Sequence, residues 1–226
     1  MEGSNYMDSN ENNLVTDLVM ENNTISPYKL FLRIWIKPRE TIRYIINTNP
    51  TKYVFIIAMV YGMLEFLNKA IEKNYGESMS LVSIFIQSIV FGSLLGILAL
   101  FINAALIKWT GKWIGGKANF DEIMAAIAWG IVPLLTGVII LYIPLFIFFG
   151  KDLFINEIVF QPNSFKTIFL IIFGVIEIIA LIWTIIVFLK CLSEVQGFSV
   201  WKALGNTLLA FLVVFIPLII LALIIF

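Results

Sequence analysis

Few side chains in this sequence could carry out chemistry. Its 226 residues include no histidine and a single cysteine, Cys191. Histidine is the commonest metal ligand and the commonest general base, so its absence removes most designs for a metal site or an acid–base pair. One cysteine also excludes an internal disulfide and a site with several thiolate ligands. We therefore expect neither enzymatic activity nor a cofactor.

The ionisable residue that requires an explanation is Glu177, which lies inside the apolar stretch 173–179. A carboxylate without a partner at membrane depth is costly, so we expect Glu177 to be neutral or hydrogen-bonded. Counting along the neighbouring apolar stretches places Pro133 at nearly the same depth, with no Lys or Arg at that level. Proline leaves the carbonyl of Trp129 without its helical donor, which makes that carbonyl a candidate partner. Glu177 is then either a neutral acid that joins two helices, or a proton- or cation-responsive site in a small transporter or permease component.

A basic segment precedes the first long apolar stretch. Cations alternate there with aromatic and aliphatic residues, and the candidates for binding lipid or a partner are Arg33, Trp35, Lys37, Arg39 and Arg43. This pattern is typical of an amphipathic helix in the headgroup plane, with its basic side toward anionic lipid. The alternative is a basic flank that only sets the orientation of the chain. Pro38 lacks a backbone donor and should bend or split the helix after Lys37.

A glycine-rich loop is the other candidate site. Gly115 and Gly116 permit a tight reversal, and Asn119, Asp121 and Glu122 follow them. Asn119 can cap the next helix, and the two acids complement the positive end of its dipole. Nearby lysines invite a phosphate-binding interpretation, but the pattern GxxxxGK(S/T) and a preceding strand are both absent. We therefore interpret the loop as a structural reversal that is also available to partners.

The composition indicates which kind of structure carries these candidate residues. Hydrophobic residues make up 60% of the chain and charged residues 13%, with a mean hydropathy of +0.96; a soluble domain has about 45–50% and about 25%. The formal net charge is zero, so no overall field would attract nucleic acid. We predict an all-α integral membrane bundle of five transmembrane helices, preceded by an amphipathic interfacial helix. We place a flexible, acidic and Asn-rich cytoplasmic tail at about 1–26 and one membrane domain at about 27–226, with spans at about 52–68, 81–107, 122–149, 166–190 and 202–226.

Lys and Arg in the short flanks predict the orientation of the spans. Four of these residues lie on one side of the spans: Lys69, Lys73, Lys151 and Lys166. Eleven lie on the other side: Lys29, Arg33, Lys37, Arg39, Arg43, Lys52, Lys108, Lys112, Lys117, Lys190 and Lys202. This excess places the N-terminus in the cytoplasm and Phe226 on the extracytoplasmic side of a multi-pass protein. The basic segment and the glycine-rich loop then face the cytoplasm.

Small residues inside the spans indicate where helices approach each other. Ser88, Gly92 and Gly96 recur every four residues and form one face of the second span. This face could pack inside the bundle or against a second copy of the chain. The sequence is therefore compatible with a homo-oligomer. The third span is longer than one crossing requires, and we expect Pro144 to break it. Asn206 lies near the cytoplasmic boundary, where water or headgroups should satisfy its side chain.

Three sequence blocks carry a resemblance that covers roughly residues 28–220. They are WIKPRET at 35–41, GGKANFDE at 115–122 leading to AWGIVP at 128–133, and Trp183 followed by LSEVQGFSVWKA at 192–203. In this order and spacing they resemble the Yip domain family, named for eukaryotic proteins that interact with Rab/Ypt-type GTPases. The resemblance implies five spans and a cytoplasmic N-terminus, and it offers no established catalytic residues.

The resemblance also bears on partners and location. In eukaryotes the family is associated with vesicle trafficking and with binding lipidated small GTPases. The absence of histidine, the Asn/Ile/Lys-rich composition and the short tail are typical of a bacterial member, which would lie in the plasma membrane. Bacteria lack such GTPases, so the partner, a membrane or cytoplasmic protein, stays unidentified. We predict a non-enzymatic protein that organises or binds partners and anionic headgroups at the cytoplasmic leaflet.

Overall fold

A computed structural model describes residues 26–155 and 165–225, and all regular structure in these two ranges is helical. The predicted tail, apart from Ser26, lies outside the described residues, as does Phe226. The α-helices are α1 Pro27–Ile36, α2 Pro38–Thr48, α3 Val54–Glu72, α4 Leu81–Gln87, α5 Ser93–Trp113, α6 Phe120–Gly130, α7 Val132–Phe149, α8 Phe165–Gln196 and α9 Val200–Ile225. A π-helical turn, Ser88–Gly92, joins α4 to α5, and short 3-10 turns occur at Tyr75–Glu77 and Gly150–Phe154.

Five helical stretches of the described chain are long and apolar enough to cross a membrane, which confirms the predicted number. They are Val54–Glu72, Leu81–Trp113, Phe120–Phe154, Ile171–Gln196 and Val200–Ile224. Helices suit such segments because an α-helix pairs its own backbone polar groups where lipid offers no partner. The protein is therefore an all-α, multi-span membrane protein.

Two short helices precede the first span. α1 ends at Ile36, Lys37 leaves the helical conformation with φ of −126° and ψ of 59°, and Pro38 begins α2. The split expected at Pro38 is therefore present. The amphipathic pattern placed the apolar side of this segment in lipid, but Leu30 and Ile34 are buried in the core of the bundle. Packing against protein removes these side chains from water as effectively as lipid would.

The third span is broken, but not where the sequence suggested. α6 ends at Gly130 and α7 begins at Val132, with Pro133 in its first turn, where a backbone donor is not needed. Pro144, which we expected to break the helix, lies inside α7. That prediction is wrong, because a membrane helix can accommodate the one hydrogen bond that a proline removes. α7 ends instead at Phe149, and Gly150, which follows it, has a φ of +53°.

The glycine face of the second span packs inside the bundle. The buried hydroxyl of Ser88 donates to the carbonyl of Met63 over 2.9 Å. A Cβ on Gly96 would lie 2.9 Å from the Cα of Gly62, and one on Gly92 would lie 2.8 Å from the Gly62 carbonyl oxygen. The two backbones are therefore in direct contact, and α3 covers the face that a second copy would otherwise use.

Buried apolar side chains form two clusters. The larger surrounds Ile123 and Trp129 of α6, with side chains of α1–α3, α5 and α7–α9 packed around them. The smaller includes Leu67, Tyr142 and Phe154 and closes the other end of the bundle. Most side chains of α9 face outward. The larger cluster therefore fixes the segments before the first span relative to the spans themselves.

Candidate functional site

The last turns of α8 hold α2 in place. A guanidinium nitrogen of Arg43 lies 2.6 Å from the carboxylate of Glu194, and the Arg43 Nε donates to the same oxygen over 2.7 Å. Beside this pair, the guanidinium of Arg39 donates to the hydroxyl of Ser193 over 3.4 Å. The first basic segment and the end of the fourth span therefore form one surface.

The same end of α8 also holds the glycine-rich loop. Gln196 is only 2% exposed, and its side-chain oxygen accepts from the Ala118 N–H over 3.3 Å. Its backbone carbonyl accepts from the Lys117 N–H over 3.2 Å. Gly111 and Gly116 lie directly against the Gln196 amide, where a Cβ on either would overlap it. These two glycines are therefore needed for space.

The loop leads into α6 through a reciprocal cap. Gly115 reverses the chain with a φ of +88°, a conformation that favours glycine. The Asn119 side chain accepts from the Glu122 N–H over 2.9 Å, and the Glu122 carboxylate accepts from the Asn119 N–H over 2.8 Å. Asp121 adds a second acid in the first turn. The predicted cap is confirmed, and it accounts structurally for Asn119 and both acids.

A buried polar contact fastens α9 to α5. Asn206 is fully buried, and its amide donates to the carbonyl of Ile107 over 3.1 Å. The hydroxyl of Thr110 lies 3.5 Å from the Asn206 side-chain oxygen. The expectation that water or headgroups satisfy Asn206 is wrong, because α9 packs onto α5 at this depth and encloses the amide in protein.

These contacts bring the blocks 35–41 and 115–122 together on the block 192–203. The sequence profile of the Yip1 domain matches residues 32–222, which include all three blocks. The chain belongs to the Yip1 domain family. No curated protein and no solved structure matches it significantly. It is therefore a member of a family of membrane proteins that is not known for enzymes.

In this Yip1-domain protein, part of the basic segment is engaged in ion pairs. The carboxylate of Glu40 lies 3.3 Å from the guanidinium of Arg33 and 3.4 Å from the ammonium of Lys37. Both cations remain about half exposed, and exposed pairs contribute only about 0–1 kcal/mol. Trp35 packs against the core rather than standing free. Arg33 and Lys37 can therefore exchange Glu40 for another anion at little cost.

A cation outside the basic segment belongs to the same surface. Lys190 of α8 lines a cavity at the break between α1 and α2, together with Lys37, Arg39 and Glu40. Lys190 lies three residues before Ser193, so helical spacing places both on one side of α8. The sequence spacing indicates that Lys190 and Ser193 share one side of α8. It does not indicate that α2 packs there and brings Lys190 to the basic segment.

The lone cysteine lies just behind this surface. Cys191 is fully buried, and its thiol contacts the carbonyl oxygen of Pro38 at 3.9 Å. It therefore acts as a small packed side chain where α2 meets α8.

Glu177 lies toward the other end of the bundle, on a cavity of about 290 Å³. Glu65 and Asn68 of α3 line the same cavity. Glu177 also lines an adjoining cavity, together with Lys69 and Glu72 of α3. The expectation that no Lys or Arg shares the depth of Glu177 is wrong. α3 continues to Glu72 rather than ending near residue 68, and its last turn brings Lys69 to this level.

The structure does not bring Pro133 into this cavity. The α7 wall of the cavity consists of Leu134, Leu135 and Val138, whereas Pro133 is buried at the start of the helix. The carbonyl of Trp129 already accepts from the N–H of Ile131. Among the residues that the structure describes, no group of three or more His, Cys, Asp or Glu could hold a metal ion.

Proposed function

We propose that this Yip1-domain protein is a non-catalytic membrane scaffold whose basic end binds anionic headgroups and a protein partner at the cytoplasmic leaflet. The basic end comprises residues 27–53 (α1, α2 and the turn before α3), residues 108–122 (the end of α5, the glycine-rich loop and the start of α6), the last turns of α8 and the first turn of α9. Eleven of the 15 Lys and Arg residues belong to it. Within the described ranges it carries four acids: Glu40, Asp121, Glu122 and Glu194. This charge excess carries the proposal, because each Lys or Arg near an anionic membrane surface gains about 1 kcal/mol.

Exposed tryptophans support a membrane interface at the basic end. Trp109 and Trp113 form an edge-to-face pair with ring centroids 5.1 Å apart, and both are more than half exposed. Trp201 is 81% exposed at the start of α9. Tryptophan is enriched where hydrocarbon meets headgroups. Lipid contact would stabilise these rings and place the nearby cations at the level of the headgroup phosphates.

The contacts to α8 give the basic end a fixed arrangement. Arg43 is held by Glu194, and Ala118 is held by the buried side chain of Gln196. A surface whose parts are already ordered loses less conformational entropy when it binds. This preorganisation favours a scaffold that presents its cations to lipid and partner without rearranging.

Lipid selectivity tests the first half of the proposal. The full chain is reconstituted in phosphatidylcholine bilayers, and spin-labelled phosphatidylglycerol and phosphatidylcholine report which lipid it immobilises. We expect a preference for phosphatidylglycerol that falls about 30-fold in the double variant Arg33→Gln/Lys37→Gln, because two cations of about 1 kcal/mol each are lost. Arg43 is left unchanged so that Glu194 keeps its partner.

The matched control removes two cations from the opposite end. Lys73→Gln/Lys151→Gln makes the same change in net charge and should leave the lipid preference unchanged. An equal loss in both double variants would show that net charge alone attracts the lipid. A wild-type protein without any preference for phosphatidylglycerol would contradict the lipid role.

Photo-crosslinking tests the protein partner. A photoreactive amino acid replaces exposed Asp121 at the basic end or exposed Glu77 at the other end, in native membranes. We expect a discrete crosslinked protein from position 121 and none from position 77. The same product from both positions, or no product from position 121, would argue against a partner at the basic end.

A further inference from the structure

The break between α1 and α2 forms a cavity of about 330 Å³. Its lining residues are Ile36, Lys37, Pro38, Arg39, Glu40 and Lys190. Three of these six side chains are cations and one is an acid. The helix α2 begins in the cavity wall. Pro38 has no N–H, but the N–H groups of Arg39 and Glu40 in the same first turn have no acceptor within the helix. Cations beside a helix start are a favourable setting for a phosphate.

The protein neutralises only part of the positive charge in the cavity. Glu40 is shared between Lys37 and Arg33, which lies just outside the cavity. Arg39 donates to the uncharged hydroxyl of Ser193, which orients the guanidinium without cancelling its charge. In the two described ranges, no carboxylate lies within ion-pair distance of Lys190. The cavity therefore keeps an excess of positive charge, with Arg39 and Lys190 free to bind an anion.

An exposed apolar row leads along α1 to this cavity. Tyr28, Leu32 and Ile36 follow one another at four-residue spacing and are 63%, 65% and 81% exposed. The opposite side of α1 buries Leu30 and Ile34 in the bundle. An apolar row beside a cationic cavity matches a molecule with a hydrocarbon portion next to a phosphate. A soluble phosphate would use only the cavity, so the row favours a lipid.

We infer that this cavity binds the phosphate of one anionic phospholipid between Lys37, Arg39 and Lys190, with its acyl chains along Tyr28, Leu32 and Ile36. The inference rests on the proposed function and narrows it from a charged surface to one site. Arg39 binds the phosphate with its planar guanidinium, and the two lysines contribute point charges. Glu40 retains Arg33 as its partner when Lys37 turns to the lipid.

Native mass spectrometry of the detergent-solubilised full chain tests the site by counting bound phosphatidylglycerol and phosphatidylcholine. Lys190→Gln should lower the affinity for the first phosphatidylglycerol about fivefold, since one near-surface cation is lost. Lys190→Arg should restore it, which separates loss of charge from loss of folding. Lys112→Gln, an exposed cation of the basic end outside the cavity, should lower the affinity less than twofold. Millimolar inorganic phosphate should not displace the lipid.

The outcomes separate the site from the broader proposal. Equal losses for Lys190→Gln and Lys112→Gln would overturn the site and leave a diffuse basic surface intact. A failure of Lys190→Arg to restore binding while its circular dichroism spectrum stays native would overturn the role of charge at this position. Displacement by inorganic phosphate would show that the cavity takes a soluble anion. Equal binding of the two lipids by the wild-type protein would overturn the lipid part of the proposed function as well.

Discussion

Arg43 and Glu194 are 151 residues apart in the sequence, and their charged groups lie 2.6 Å apart. The pair joins α2, which precedes the first span, to the last turns of α8. The side chain of Glu194 is 17% exposed and that of Arg43 is 62% exposed, so water screens the pair from one side. We therefore attribute to it a modest share of the stability of the basic end.

A double-mutant cycle measures this share. Arg43→Gln and Glu194→Gln should couple by about 0.5–1 kcal/mol in the free energy of unfolding, because each removes the same ion pair. The matched control is the more exposed pair Arg33 and Glu40, which should couple by less. Circular dichroism of the full chain in detergent follows the unfolding. Equal coupling in the two cycles would contradict a special role for the Arg43–Glu194 pair.

The contact between α3 and the second span predicts a strong effect of one methyl group. Gly96→Ala should lower the free energy of unfolding by about 2–3 kcal/mol, because the added Cβ would meet backbone atoms of Gly62 that cannot move aside. Gly174→Ala is the control, since no described atom beyond its own turn of helix lies within 4 Å of its added Cβ. It should be neutral or stabilising by about 0.5–1 kcal/mol. Similar thermal unfolding of the two variants would refute the close approach.

Two asparagines of the spans should respond differently to truncation. Asn206→Ala should cost about 1–2 kcal/mol, because the buried amide bonds to Ile107 on another helix. Within the described ranges, the exposed Asn103 donates to Ala99 of its own helix and to no other helix, so Asn103→Ala should change stability by less than about 0.5 kcal/mol. Unfolding in a denaturing detergent titration compares the two. A larger loss for Asn103→Ala would show that the assignment of the interhelical contact is incorrect.

The carboxylates around Glu177 predict a gain in stability on substitution. Glu65, Glu72 and Glu177 line one cavity with a single cation, Lys69. Glu177→Gln should raise the free energy of unfolding by about 0.5 kcal/mol, because it removes one of three like charges that lie close together. The melting temperatures of the variant and the wild-type protein measure this gain.

The control for Glu177 is an acid at the same end of the bundle outside both cavities. Glu77→Gln removes an exposed carboxylate and should leave the melting temperature nearly unchanged. If Glu77→Gln stabilises the protein as much as Glu177→Gln, the effect belongs to net charge. A lower melting temperature for Glu177→Gln than for the wild-type protein would refute repulsion among the three carboxylates.

Features that depend on neighbouring residues were predictable from the sequence. The five apolar runs predicted five spans, the ring of Pro38 predicted the split before α2, and Asn119 with Glu122 predicted a helix cap. Each follows from a few consecutive side chains and the backbone they share. Pro144 shows the limit of such local rules, because a proline removes one hydrogen bond but a long apolar helix can continue through it.

Features that depend on how distant helices pack were not predictable. Gln196, Asn206 and Lys190 have ordinary sequence surroundings, and nothing near them shows which helix they meet. The need for glycine at positions 111 and 116 is steric, and it becomes visible only when the Gln196 amide is placed against them. The depth of Glu177 relative to Lys69 likewise required the actual end of α3. Span counting alone gives depths only to within about a helical turn.

The length of α8 has a mechanical consequence. Its 32 residues make a rod of about 48 Å, well beyond the hydrocarbon thickness of about 30 Å. A rod of this length either projects from the bilayer or leans within it. The final turns of α8 hold α2 and the glycine-rich loop, and the larger cluster links α1 to them. A thinner or thicker bilayer would change the tilt of α8, and these segments would then move together as one rigid unit.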